Sequence, residues 1–99
     1  MSIKTIQASE GWVKLVTDVS DKSAKTVQCR GEDPLEVAVF KDSVTPGLGD
    51  AGLILYPKRF LSKDYVQSEQ DSVRAAPSGD ESIYARAYLN KPAVVGVMV

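Results

Sequence analysis

The clearest pattern along this chain is a period of two. From Ser82 to Leu89, Ile83, Ala85, Ala87 and Leu89 fall on one side and Tyr84, Arg86 and Tyr88 on the other, the alternation of a half-buried β-strand. Leu35 to Phe40 repeats it, setting Leu35, Val37 and Val39 against Glu36, Ala38 and Phe40. The final run, Ala93 to Val99, is uncharged and rich in β-branched residues, which predicts a strand covered on both faces. Asn90-Lys91-Pro92, between the last two runs, is a loop of hairpin length.

Shorter strand-like stretches occupy Trp12–Val16, Lys25–Arg30, Leu53–Tyr56 and Ser72–Ala76, and the segment near Asp64–Ser68 fits either a short strand or a single helical turn. Turn chemistry separates them at Asp18–Ser23, Gly31–Pro34, Lys41–Gly52 and Pro77–Asp80. No long stretch carries helical periodicity. Seven or eight short strands punctuated this way predict an all-β fold, a small antiparallel β-sandwich or barrel of jelly-roll or immunoglobulin-like type.

Length sharpens this picture: 99 residues make one domain with one thin core. That domain is expected over residues 11–99. Residues 1–10, with Ile3 and Ile6 as their large side chains, are expected to form an N-terminal arm or an edge strand. The arm is preferred because termini are ordered only when tied down; it would be removable without lowering the thermal stability of the rest.

Charge and special residues then exclude several functions. Twelve basic residues against thirteen acidic, scattered along the chain, give no stripe for tracking phosphates, so no nucleic-acid partner is expected. No apolar run approaches the roughly 20 residues that span a bilayer, and the start lacks the apolar segment of a signal peptide. The single Cys29 lies on the same side of its run as Val27, which predicts a small buried hydrophobe in a protein made in a reducing cytoplasm.

The candidate chemistry reduces to a few constellations. Gly47-Leu48-Gly49-Asp50-Ala51-Gly52 matches G-x-G-x-x-G, with Glu69 and Asp71 about twenty residues on. The dinucleotide fingerprint must open a helix, whereas Gly52 runs into the strand-like Leu53-Ile54-Leu55-Tyr56, so no cofactor is expected. Asp18, Ser20 and Asp21 could begin a calcium loop, but the positions requiring glycine and glutamate hold Ser23 and Cys29. Without histidine there is no Ser-His-Asp or Cys-His arrangement, and neighbouring carboxylates in turns point apart, so neither an enzyme nor a metal site is expected. Tyr84, Arg86 and Tyr88 share a strand face suited to sheet packing, to a protein interface or to stacking on a ligand. Trp12 offers the same choices. With Ile3 and Ile6, these residues make the candidate protein interface.

Trp12-Val13, the turn at Pro34, Pro46-Gly47, the apolar run Leu53–Tyr56 and Ile83-Tyr84-Ala85-Arg86 with its valine-rich tail together set a rhythm of strands and turns. That layout resembles the small accessory virion proteins of tailed bacteriophages, all-β modules of about this size found on capsids or at fibre and tail attachments. The resemblance covers most of the chain but carries no diagnostic motif. It implies a non-enzymatic structural component of a virion, made in the host cytoplasm, that binds the major capsid protein or another virion protein. Capsid decoration or cement is the expected role, with a homo-oligomer, preferably a trimer, as its form. The alternatives are a tail or fibre adaptor and, from a different class, a carbohydrate- or receptor-binding module.

Overall fold

The computed structural model describes residues 1–18, 20–47, 49–57 and 70–99. Eight strands are present among them: β1 (Ser2–Ile6), β2 (Val13–Lys14), β3 (Lys25–Cys29), β4 (Leu35–Lys41), β5 (Leu53–Leu55), β6 (Ser72–Ala75), β7 (Glu81–Ala87) and β8 (Ala93–Met98). The strand or helical turn expected near Asp64–Ser68 lies outside the described residues. All pairings are antiparallel, and they form two four-stranded sheets of order β1-β8-β3-β6 and β2-β7-β4-β5.

This order settles the choice of β fold. β1 pairs with β8, β2 with β7, β3 with β6 and β4 with β5. Those are the rungs of one long hairpin whose arms have been rolled into a sandwich, joined by the β3–β8 and β4–β7 pairings. The result is a jelly roll, not the immunoglobulin arrangement.

The two expected alternations explain where the core lies. In the β4–β7 pair Val37 faces Ala85 and Val39 faces Ile83, while the intervening Glu36 faces Arg86 and Ala38 faces Tyr84. The first set turns inward with Leu35 and Leu55 to meet Ile6, Val27, Cys29 and Val95 of the other sheet. Ile6, Leu35, Val27, Leu55 and Val95 are entirely shielded from water, and a side chain of this class buried that completely contributes about 1.5–3 kcal/mol.

Four expectations are corrected. Tyr88 to Pro92 is not a hairpin: β7 and β8 belong to different sheets, because β8 already has β1 and β3 on its two edges. A connection of this length instead carries the chain across the sandwich, whose layers sit about 10 Å apart. β8 is central within its sheet, but one face alone meets the core. Its Val94, Gly96 and Met98 alternate to the outer surface, where Arg30 and Met1 lie against Gly96. The strand at Trp12 shrinks to Val13–Lys14, although Leu15 N–H still bonds to the Ile83 carbonyl at 2.9 Å before the chain leaves for the Asp18 turn. The first ten residues are no free arm. They form the edge strand β1, in register with β8 from Ser2↔Val97 to Ile6↔Ala93, followed by a 3-10 turn at Ala8–Glu10.

Cys29 is buried as expected, its Sγ 3.3 Å from the Asp33 carbonyl, and desolvation pushes its thiol up to about 11.

Because Ile6 is part of the core, Ile6→Ala is predicted to cost about 2–4 kcal/mol in urea denaturation, and deleting residues 1–6 to lower the melting temperature. An unchanged melting temperature in the truncated protein would mean that β1 is dispensable to the sandwich.

Candidate functional site

The outer face of the β2-β7-β4-β5 sheet gathers most of the residues with chemical character. Strand alternation puts Glu36, Ala38 and Phe40 of β4, Ser82, Tyr84 and Arg86 of β7 and Lys14 of β2 on this face, with Trp12 entering just before β2. The aromatic rings meet edge to face. Trp12 and Phe40 have centroids 5.0 Å apart at 78°, and Phe40 and Tyr84 5.7 Å apart at 64°, the geometry that aromatic quadrupoles favour. The Arg86 guanidinium lies 4.5 Å from the Trp12 ring centroid, and Lys14 Nζ lies 5.8 Å from that of Tyr84.

An ion pair runs through this layer. Arg86 Nε donates to Glu36 Oε1 at 2.7 Å, and Gly52 N–H donates to Glu36 Oε2 at 2.6 Å. The Glu36 side chain is 5% exposed and that of Arg86 18%. Arg86 Nη2 also donates to the Asp50 carbonyl at 2.8 Å, and Trp12 Nε1–H to the Gly47 carbonyl at 3.1 Å. These bonds fasten the β4–β5 connection, residues 42–52, to the sheet it leaves. The glycine motif is thereby explained. A Cβ at Gly52 would sit 2.3 Å from the Val37 carbonyl oxygen, so only glycine lets the loop come this close to β4. The motif runs into β5 rather than a helix, as its context in the sequence required.

One smaller polar cluster joins the ends of β4 and β7, and a second lies in the connection from β2 to β3, a strand of the other sheet. Asp42 accepts from Lys22 Nζ at 2.9 Å and from Ser82 Oγ, with Lys14 Nζ at 3.6 Å. The Ser82 and Lys22 hydrogen bonds hold the Asp42 carboxyl below its ordinary range. In the Asp18–Ser23 turn, Asp18 accepts from Ser20 N–H and Oγ–H, and Asp21 from Ser23 N–H and Oγ–H. Lys25 Nζ reaches both Asp21 oxygens, at 3.0 and 3.2 Å. Bonds from Ser23 and then from Lys25 bring the Asp21 carboxyl down to about 2. The turn is therefore built on side-chain-to-backbone bonds, and no group of three potential metal ligands occurs among the described residues.

The six candidate interface residues separate into three situations. Trp12, Tyr84 and Arg86 are brought together, but as parts of an internal brace: Tyr84 is only 8% exposed and Arg86 is occupied by Glu36, Asp50 and the indole. Tyr88 follows β7 and stays open, 46% exposed, beside Leu89 and Asn90 at a shallow groove of about 290 Å³ that Glu36 and Arg86 also line. Ile3 and Ile6 lie on the other sheet, Ile3 outside at 60% exposure and Ile6 in the core, where it can touch no partner. Glu36, Phe40 and Asp42 complete the brace without having been singled out in the sequence. Glu36 alternates outward as Arg86 does, but only the register of β4 against β7 shows that they face one another.

The chain matches no family model, no curated protein and no solved structure.

Breaking the ion pair from one side is predicted to cost about 3 kcal/mol or more, because it strands a desolvated partner. Arg86→Met should cost more than Glu36→Leu, since Glu36 is the deeper of the two, and the double variant should recover most of the loss. Single variants as stable as the wild type in urea would contradict a load on this pair. Acid should expose the Asp21 contribution. A carboxyl at about 2 when folded and 3.8 when free stabilises the fold fully above about pH 4, and that contribution fades as pH falls toward 2. Melting temperatures of Asp21→Asn should accordingly fall less steeply than wild type between pH 5 and 2; parallel curves would contradict this.

Proposed function

We propose that this protein is a non-enzymatic structural component of a virion, a capsid decoration or cement module that works through contacts with other proteins. Support comes first from the fold. The jelly roll recurs in viral capsid and lectin domains, although fold alone does not fix function. The observation that carries most weight is the contrast between the two outer faces. On the β2-β7-β4-β5 sheet the aromatic and charged side chains are engaged with one another and with loop 42–52. On the β1-β8-β3-β6 sheet, Met1 at 66% and Ile3 at 60% exposure stand free beside the outward side chains of β8. Methionine, arginine and large apolar side chains around a flat surface suit a protein partner.

The same contrast weakens a sugar-binding role through Trp12 and Tyr84. Arg86 lies over one face of the Trp12 ring and Tyr84 is nearly buried, which reduces the aromatic surface open for stacking. For a glycan, the exposed Tyr88 at its groove remains. Cys29 is similarly withdrawn, buried with its thiol pushed up to about 11. A homo-oligomer, with a trimer preferred, is the form proposed on the particle, with the major capsid protein as the principal partner.

Sedimentation of purified protein with purified phage heads, beside a glycan array of wild type and Tyr88→Ala, tests this. The proposal expects saturable co-sedimentation that survives Tyr88→Ala and no specific glycan signal. Failure to sediment with heads, together with a glycan signal abolished by Tyr88→Ala, would overturn it in favour of a lectin-like module.

A further inference from the structure

The outer face of the β1-β8-β3-β6 sheet has an electrostatic character that the chain as a whole lacks. Net charge is −1, yet the charged side chains alternating outward from this sheet are two arginines. Arg74 is on β6 opposite Thr26. Arg30 follows β3 and keeps its pairing with β8 through a 2.8 Å bond from its N–H to the Val94 carbonyl. Acidic residues near in sequence, Glu32 and Asp71, sit in the connections at the strand ends.

Neither arginine is neutralised by a carboxylate among the described residues. Arg30 Nη1 donates to Gln28 Oε1 at 3.1 Å, and Arg74 Nη1 donates to Thr26 Oγ1 at 3.0 Å. Both acceptors are uncharged. By contrast Arg86, Lys14, Lys22 and Lys25 each have a carboxylate within 4 Å. The neutral bonds orient the two guanidiniums and leave their charge and most of their donors unspent. The Arg30 stem is laid flat as well: a Cβ on Gly96 would be 3.0 Å from Arg30 Cγ and 3.1 Å from Cδ. Glycine at the middle of β8 thus makes room for this side chain to cross the sheet. The two guanidiniums are thus held at Gln28 and Thr26, successive outward positions of β3 whose backbones lie about 7 Å apart, and Met98, opposite Thr26, stands beside them.

We infer that this face docks onto an acidic patch of another protein, with Arg30 and Arg74 each receiving a carboxylate from the partner. The inference rests on the virion-protein reading for the partner's identity but not for its chemistry. Charge complementarity selects the occupant. Arginine's planar fork suits two-pronged bonding to a carboxylate, and the apolar side chains around it suit a protein surface. A nucleic acid would want a longer run of cations following its phosphates than two arginines supply. Self-pairing of β1 centred on its middle residue would bring Lys4 against its own copy, a like-charge contact that disfavours that register.

The test compares wild type, Arg30→Glu/Arg74→Glu, the milder Arg30→Gln/Arg74→Gln, and a control, Lys41→Glu/Lys91→Glu, that makes the same charge change at exposed positions elsewhere. The probes are immobilised poly-L-glutamate, single-stranded poly-deoxythymidine and purified phage heads, with a melting curve for each variant. The inference expects the arginine reversals to weaken poly-L-glutamate binding about ten-fold or more, the glutamine pair to weaken it less, and the lysine control to stay near wild type. Raising salt from about 50 to about 300 mM should weaken wild type in the same direction. Equal losses in the arginine and lysine variants, or tighter binding to poly-deoxythymidine than to poly-L-glutamate, would overturn it. Heads that bind wild type and both arginine variants equally would remove this face but leave the virion reading standing. Heads that bind no variant, with the poly-L-glutamate pattern as expected, would remove the virion reading and leave the acidic-partner surface.

Discussion

A single carboxylate, Glu36, conditions the use of this molecule's surface. It sits nearly buried on what would otherwise be a solvent-facing strand position, with Arg86 on one oxygen and the Gly52 amide on the other. A charge so placed is tolerated only because both oxygens are satisfied. Its partners propagate the constraint. Arg86 must lie across β7, where it stacks on Trp12 and reaches the Asp50 carbonyl, and Gly52 must approach β4 more closely than any residue with a Cβ could. The connection between β4 and β5 is thereby tied back to the sheet at Gly47, Asp50 and Gly52.

One consequence is an asymmetric tile. The β2-β7-β4-β5 sheet has spent its aromatic rings and charges internally, which rigidifies it. The opposite sheet leaves Arg30, Arg74, Met1 and Ile3 exposed. A rigid face behind a receptive one is the arrangement expected of a module that acts by adhering, since little conformational entropy is lost when its contact surface is already fixed. The jelly-roll order contributes to the same end. β8 is held between β1 and β3, so the strand that carries Gly96 and Met98 outward is supported along both edges. The inward-facing Lys4 on β1 is a recognised device against uncontrolled edge-to-edge pairing.

Alternation in the sequence revealed which residues share a face, and it did so correctly for β4 and β7, whose inward sets are core and whose outward sets carry Glu36, Tyr84 and Arg86. The turn chemistry around Asp18 and the rejection of the glycine motif were legible for the same reason, that local context decides them. What a period of two does not contain is what lies on top of a face. Tyr84 has the pattern of an exposed residue and is 8% exposed, with Phe40 of β4 and Lys14 of β2 against its ring. The uncharged run of β8 suggested core on both sides, whereas its outward side at Gly96 meets Arg30 and Met1 rather than the core. Strand order was equally hidden. Among the described residues only β4 and β5 are consecutive strands of one sheet, so a loop of hairpin length such as Asn90–Pro92 was a misleading guide. Ile6 was drawn toward a partner by its position near the terminus, when its register against Ala93 makes it core.

Hydroxyl-radical footprinting of the protein free and bound to purified phage heads is the most direct measurement of which face is used. Both methionines of the chain, Met1 and Met98, belong to the β1-β8-β3-β6 side, and sulfur is the most readily oxidised group available. The account predicts that binding protects Met1, Ile3 and Met98 while labelling of Trp12, Phe40 and Tyr88 is unchanged. Protection of Trp12, Phe40 and Tyr88 with the methionines still labelled would contradict it.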